Sequence, residues 1–160
     1  MNKIFEVRRR RKVNVDRSFV LGLLKILEEG QDGNYLHTCC LRLIGEFGLP
    51  EDASPLLNYL SQSTGENWHA VEDAMIKIAN TTIIPEVLSY LSNNNNHLLM
   101  ACLDILEVHG NRSVVDKVLD LTFQSSVNSY VLFRAINVLS THGDVSLLEV
   151  ISRFSESEDD

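Results

Sequence analysis

Apolar residues recur at helical spacing along most of the chain. Cys40, Leu43, Ile44 and Phe47, for example, fall at i, i+3, i+4 and i+7, which is the spacing of one buried helix face. The same analysis predicts nine helices, and polar loops separate them. They are approximately Ser18–Glu29, Asn34–Phe47, Ala53–Gln62, Trp68–Asn80, Ile84–Ser92, His97–His109, Ser113–Phe123, Ser129–Thr141 and Val145–Phe154.

The predicted helices form a repeated pair. Leu43-Ile44 aligns with Ala74-Met75 at a shift of 31 residues, and Cys102-Leu103 aligns with Ala135-Ile136 at a shift of 33. Because one pair of helices cannot bury its own apolar faces, consecutive pairs are expected to stack on a shared core. The sequence therefore predicts an all-α fold, a short curved α-solenoid of about four helical hairpins preceded by a half-repeat.

Residues at the helix ends divide the units further. Gly48, Gly110 and Gly143 each follow the first helix of a pair, where a left-handed C-cap favours glycine, and Asn80 can take that conformation in the remaining unit. Ser113 is expected to cap the second helix of its pair. The domain boundaries predicted from these patterns are a basic arm or irregular cap at 1–17, a repeat domain at 18–154 and an acidic tail at 155–160.

The segment from Leu43 to Leu57, LIGEFGLPEDASPLL, resembles the repeated phrase of the short HEAT-like repeat family, the type found in bilin lyases. The resemblance covers about residues 18–154, although the other units keep only the apolar skeleton. It implies a helical solenoid, and HEAT-like arrays mostly bind other proteins. Some relatives are bilin-chromophore lyases, some are DNA glycosylases and some small bacterial ones are toxin-immunity proteins, so the resemblance specifies architecture more closely than function.

Charge is distributed unevenly along the 160 residues, which carry a net charge of −8. Residues 1–17 hold seven basic and two acidic side chains, including five consecutive cations at Arg8–Lys12, whereas residues 18–160 hold seven basic and twenty acidic ones. A body this acidic repels nucleic acid and attracts a basic partner protein, so nucleic-acid contact is expected only through Arg8–Lys12. The longest apolar run, Phe19–Leu27, is interrupted by Lys25, and no signal-peptide cleavage site follows it, so we expect a cytoplasmic protein with no membrane span.

No motif for catalysis, metal binding or nucleotide binding is present in the sequence, and we predict a non-enzymatic protein without a cofactor or metal. Cys40 and Cys102 occupy apolar stripe positions and are expected in the core. His109 and His142 stand in register, one per repeat, and are expected to be helix-end residues. The rival hypothesis is an enzyme, a chromophore-lyase-like or chaperone-like HEAT protein that uses Cys39 or a histidine in a deep pocket.

The HEAT resemblance also implies a binding face, because the second helices of such arrays line the concave side. Tyr59 and Tyr90 are candidate anchors on that face, although both could instead close the edge of the core. Trp68 is expected to pack at the core edge, with an interaction patch on the convex side as the alternative. The candidate partner-binding residues are Asn58, Tyr59, Gln62, Glu86, Ser89, Tyr90, Asn93, Asp116, Asp120, Glu149 and Arg153.

Together these observations predict a non-catalytic protein–protein interaction module whose concave face binds a basic partner. A bacterial toxin-immunity protein and a plain scaffold both satisfy this description. The sequence leaves the identity of the partner and the oligomeric state open.

Overall fold

The computed structural model describes residues 15–30, 35–62, 67–124, 127–145 and 147. These residues fold into eight α-helices, and no strand occurs within the described ranges, so the all-helical prediction is confirmed. The helices are α1 (Arg17–Glu29), α2 (Tyr35–Phe47), α3 (Ala53–Gln62), α4 (Trp68–Ile78), α5 (Ile84–Ser89), α6 (Asn96–His109), α7 (Val115–Thr122) and α8 (Ser129–His142). Most of the predicted ninth helix, Val145–Phe154, lies outside the described residues, as do Arg8–Lys12 and the tail at 155–160.

Short 3-10 turns join the helices within each pair. Pro50–Asp52, Thr81–Ile83 and Arg112–Val114 lead directly into α3, α5 and α7, and Tyr90–Ser92 continues α5. The chain thus turns between paired helices without a long loop, and Pro50 occupies the start of one such turn, where its missing N–H has no intrahelical partner to lose.

The helices contact one another in an alternating order. The first-helix series, α2, α4, α6 and α8, is continuous, since each helix contacts the next. The second-helix series, α1, α3, α5 and α7, packs against it through α1–α2, α3–α4, α5–α6 and α7–α8. The apolar stripes of both series meet in one core, which includes Leu41, Ile44, Leu56 and Leu57. In α6, which lies between α4 and α8, every residue from Leu98 to Leu106 is buried.

The prediction of left-handed glycine caps is wrong. Gly110 has φ −66° and ψ −178°, Gly143 has φ −77° and ψ −176°, and Gly48 is not left-handed either. Asn80 is likewise extended, with φ −143°. The lack of space for a side chain, rather than the backbone torsion angles, explains why glycine occupies these positions. A Cβ on Gly110 would lie 2.2 Å from the backbone oxygen of Leu106, and one on Gly143 would lie 2.4 Å from that of Leu139.

The cap of the third hairpin also differs from expectation, because Asn111 replaces Ser113 in that role. The Oδ1 atom of Asn111 accepts a hydrogen bond from the backbone N–H of Ser113 at 2.8 Å. Asn80, 31 residues earlier, makes the same 2.8 Å bond with the N–H of Thr82. The second helix of each of these pairs is therefore preceded by an asparagine-capped 3-10 turn, and Ser113 is a member of that turn.

Candidate protein-interaction surface

The predicted binding residues lie on the second-helix series, but they are not equally accessible. Tyr59, Glu86 and Tyr90 are only half-buried, and the two tyrosines pack against the core. Glu149 and Arg153 lie outside the described residues. The exposed members are Asn58, Gln62, Ser89, Asn93, Asp116 and Asp120. We refer to these six residues together with Tyr59 and Tyr90 as the second-helix surface.

Three of the predicted residues line one small pocket between α1 and α3. Its volume is about 180 Å³, and the amide of Gln62 donates a 3.0 Å hydrogen bond to the Oδ1 atom of Asn58 at its edge. The lining residues are Leu27, Glu28, Gly30, Pro55, Asn58, Tyr59 and Gln62. A pocket of this size accommodates a single side chain of a partner protein rather than a whole small-molecule ligand.

Tyr59 is fixed from behind by His37. The Tyr59 hydroxyl lies 3.0 Å from Nδ1 of His37, and the two rings meet edge to face with centroids 5.8 Å apart. His37 is fully buried in α2. This contact supports a structural role for Tyr59 at the core edge. It also holds the tyrosine ring in place beside the pocket, so a ligand that packs there would not have to immobilise the Tyr59 side chain.

Glu86 connects two members of the second-helix series. Its Oε1 atom accepts a 2.9 Å hydrogen bond from the hydroxyl of Ser54, which lies in α3, while Glu86 itself lies in α5. The carboxylate was predicted to face outward toward a partner. It is half-buried because this hydrogen bond holds it against the neighbouring helix.

Two carboxylates stand one helical turn apart on α7. Asp116 and Asp120 are both exposed, and within the described residues neither forms an ion pair. Like charges at i and i+4 destabilise a helix by roughly 0.2–0.5 kcal/mol. Lys117 is exposed on the same helix, which leaves α7 with a net negative outer surface. A cation from another molecule would relieve the repulsion between the two aspartates.

Histidines join consecutive members of the first-helix series. Nε2 of His109, the last residue of α6, lies 2.9 Å from the backbone oxygen of Ile76 in α4. Nε2 of His142, the last residue of α8, lies 2.8 Å from that of Leu106 and 3.1 Å from that of Glu107 in α6. A carbonyl can only accept, so Nε2 carries the proton in both cases. The helix-end placement is confirmed, and the contact with the preceding helix is an addition that the sequence did not reveal.

A cluster of three ionisable side chains spans α4, α6 and α8. The guanidinium of Arg134 hydrogen-bonds the carboxylate of Asp104, and its Nη1 atom lies 3.6 Å from Oε1 of Glu72. Burial raises the pKa of Glu72 to about 8, aided by its hydrogen bond with Asp104 and by the negative charge of Asp104, and opposed by the positive charge of Arg134. Two carboxyl groups thus share one guanidinium, and their surroundings favour the protonated form of Glu72.

A groove lies on the first-helix series, away from the second-helix surface where the sequence predicted binding. It runs between α2 and α4 with a volume of about 570 Å³, and both signs of charge line it, among them Arg42, Glu46, Asp73 and Lys77. The two helices approach closely beside the groove, since a Cβ on Gly45 would lie 3.0 Å from the Cα atom of Ala74. The small residues Gly45, Ala70 and Ala74 are the sequence signal for it.

The remaining candidate groups have structural surroundings. Trp68 packs against the core edge and lies beside two imidazoles, with its ring centroid 3.4 Å from that of His69 and 5.1 Å from that of His97. Cys40 and Cys102 are buried as expected, and burial raises the pKa of both thiols, that of Cys102 to about 12. Cys39 is partly exposed.

Wider comparisons add no assignment. Searches of protein-family models, of curated proteins and of solved structures find no match for this chain. Across the described ranges, no three histidine, cysteine, aspartate or glutamate side chains converge on a point where a metal ion could bind. None of the eight described helices combines the length and the apolarity that crossing a bilayer requires. Function is therefore inferred from the side chains on the surface of the described helices.

Proposed function

We propose that this chain is a non-catalytic α-solenoid of HEAT-like repeats that binds a basic partner protein through its second-helix surface. The observation that carries the proposal is the exposed pair Asp116 and Asp120 on α7, which repel each other and have no ion-pair partner in the described part of the chain. A lysine or arginine of a partner would gain from both carboxylates, and the acidic body would accelerate its approach.

The opposite end of the same surface supplies a complementary kind of contact. Tyr59, held by His37, borders the pocket of about 180 Å³ between α1 and α3, and Asn58 and Gln62 supply hydrogen-bonding groups at its edge. One aromatic anchor with adaptable amides at one end and two carboxylates at the other is a typical composition for a protein-binding surface.

The repeat interpretation rests on the alternation of helix contacts and on the recurrent asparagine caps and histidine contacts. A non-enzymatic role in the cytoplasm is part of this proposal. An enzyme of the lyase-like type remains the rival, and the groove of about 570 Å³ between α2 and α4 is the place where a ligand of that class would bind. The identity of the partner would distinguish a toxin-immunity protein from a scaffold, since an immunity protein would bind a toxin in a one-to-one complex.

The test is a capture experiment with two variants of equal charge. The full chain, the double variant Asp116→Asn/Asp120→Asn and the control Asp73→Asn/Glu107→Gln would be immobilised, and proteins from the source lysate would be bound at low and moderate salt. We expect a basic protein to bind the wild type and the control, and to bind the Asp116→Asn/Asp120→Asn variant at least about tenfold more weakly. If both variants lost binding equally, the effect would be due to the net charge of the chain rather than to this surface. If both retained binding equally, the proposed surface would be excluded.

A further inference from the structure

The outermost described helix of the first-helix series has an uncovered apolar face. On α8, the side that faces α6 carries Arg134 and His142, which bind Asp104 and the Leu106 carbonyl. Phe133 and Ile136, on the opposite side of α8, are 65% and 38% exposed. The two large apolar side chains lie one helical turn apart on the same face of α8.

Comparison of α8 with the aligned helix α6 indicates what kind of contact this face could make. A shift of 33 residues aligns Phe133 with Met100 and Ile136 with Leu103 in α6. There the two side chains are 9% and 0% exposed, on the side of α6 that carries Asp104 and faces α8. The equivalent face of α6 is thus covered by a member of the first-helix series, and the face of α8 has the same chemistry without the cover.

The lack of charge on this face of α8 favours a second copy of the chain as its occupant. The far face of α8 comprises Ser129, Phe133, Ile136 and Ser140, so it carries no charged side chain. A basic partner would find no carboxylate to pair with there. Two copies of this acidic chain, by contrast, can meet at an uncharged face without placing like charges opposite each other. A symmetric contact would also bury both copies of the patch at once and close the assembly.

We propose that two copies of this chain associate through the far faces of their α8 helices, packing Phe133 and Ile136 across a two-fold axis. The contact uses neither the second-helix surface nor the groove between α2 and α4, so it is independent of the proposed function. A dimer of this kind would carry two second-helix surfaces and could bind two copies of a partner, or one partner twice with increased avidity.

Sedimentation velocity of the full chain over a range of micromolar concentrations tests the proposal. We expect the wild type to reach twice the chain mass of 18.1 kDa. Phe133→Asp should weaken association at least about tenfold, because it places like charges across the axis. The matched control is Val108→Asp, which puts the same charge on an apolar residue of α6 that is 56% exposed but lies away from this face, and it should leave the dimer unchanged.

A second variant keeps the test decisive if Phe133→Asp folds poorly. Ser140→Glu alters only an exposed polar residue of the same face, so it should fold and should likewise favour the monomer. A wild type that remains monomeric over this concentration range would overturn the proposal. Growth beyond a dimer, or a dimer that survives both variants, would also overturn it.

Discussion

The guanidinium of Arg17 binds both carboxylate oxygens of Asp52, which lies 35 residues later in the chain. The two hydrogen bonds measure 2.5 and 2.6 Å, and Oδ2 of Asp52 also accepts the backbone N–H of Leu49 at 2.8 Å. Asp52 is 1% exposed. This paired geometry joins the first residue of α1 to the turn between α2 and α3, so it fixes the amino-terminal helix on the rest of the fold.

Replacing Arg17 should destabilise the protein markedly. Arg17→Met would leave the buried carboxylate of Asp52 with one backbone donor, and the free energy of unfolding should fall by roughly 2 kcal/mol. Urea unfolding followed by circular dichroism measures the change. Lys25→Met, which breaks the exposed pair between Lys25 and Glu29, should alter stability by less than about 0.5 kcal/mol. Equal effects of the two substitutions would contradict the role assigned to Arg17.

Stability should fall as the pH rises toward 8 because of Glu72. The folded protein holds the pKa of this carboxyl at about 8, against an ordinary value of 4.5. Between these values the unfolded chain releases a proton that the folded chain keeps, so raising the pH favours unfolding, by at most about 1.4 kcal/mol per pH unit. Above pH 8, Glu72 is ionised in both states and adds no further change.

The measurement is the urea midpoint at pH 5 and at pH 8.5 for the wild type and for Glu72→Gln. The variant cannot ionise, so its stability should change less between the two pH values, by at least about 1 kcal/mol. Glu28→Gln, at an exposed position of α1, should follow the wild type. If Glu72→Gln instead showed the same pH dependence as the wild type, another group would be responsible.

Two glycines should respond oppositely to substitution by alanine. Gly110→Ala would push a methyl group against the Leu106 carbonyl, which a Cβ would approach to 2.2 Å, and should destabilise the protein by about 2 kcal/mol. Gly22 lies in α1, and a methyl group added to its Cα would meet no atom within 4 Å, so Gly22→Ala should stabilise by roughly 0.5–1 kcal/mol. Thermal melts of both variants test the pair, and a stabilising Gly110→Ala would show that the helix end has room to relax.

The three cysteines should differ in their reaction with a thiol reagent. Cys102 is buried and its pKa is raised to about 12, and burial also raises that of Cys40. Native protein at pH 8 should therefore label rapidly at no thiol other than Cys39, and Cys39→Ser should abolish the rapid phase. All three should react in denaturant. Rapid labelling of native Cys102 would mean that α6 opens far more readily than its burial implies.

The helices could be predicted from the sequence because their apolar spacing is regular. The conformation of Gly110 could not, because it depends on the space left beside Leu106 and His142, which neighbouring helices determine. Asp104 gave a partial signal, since it interrupts the apolar run from Leu98 to Leu106. Its pairing with Arg134 depends on how α6 and α8 are rotated about their own axes. That rotation could not be predicted from the sequence.

The candidate surface was predictable to a similar degree. The exposed positions of Asn58, Gln62, Asp116 and Asp120 followed from helical periodicity alone. The hydrogen bonds of Tyr59 with His37 and of Glu86 with Ser54 did not, because each joins side chains of different helices. Small residues such as Gly45 and Ala74 permit a close approach of helices, but the groove between α2 and α4 also depends on which helices pack together.

The histidine contacts along the first-helix series reach only one helix back. His109 touches α4 and His142 touches α6, at sequence separations of 33 and 36 residues, and neither extends further. Removal of α8 would therefore leave the bond between His109 and Ile76 intact. The cluster of Arg134, Asp104 and Glu72 behaves differently, because it joins α4, α6 and α8 at once and would lose its guanidinium together with α8.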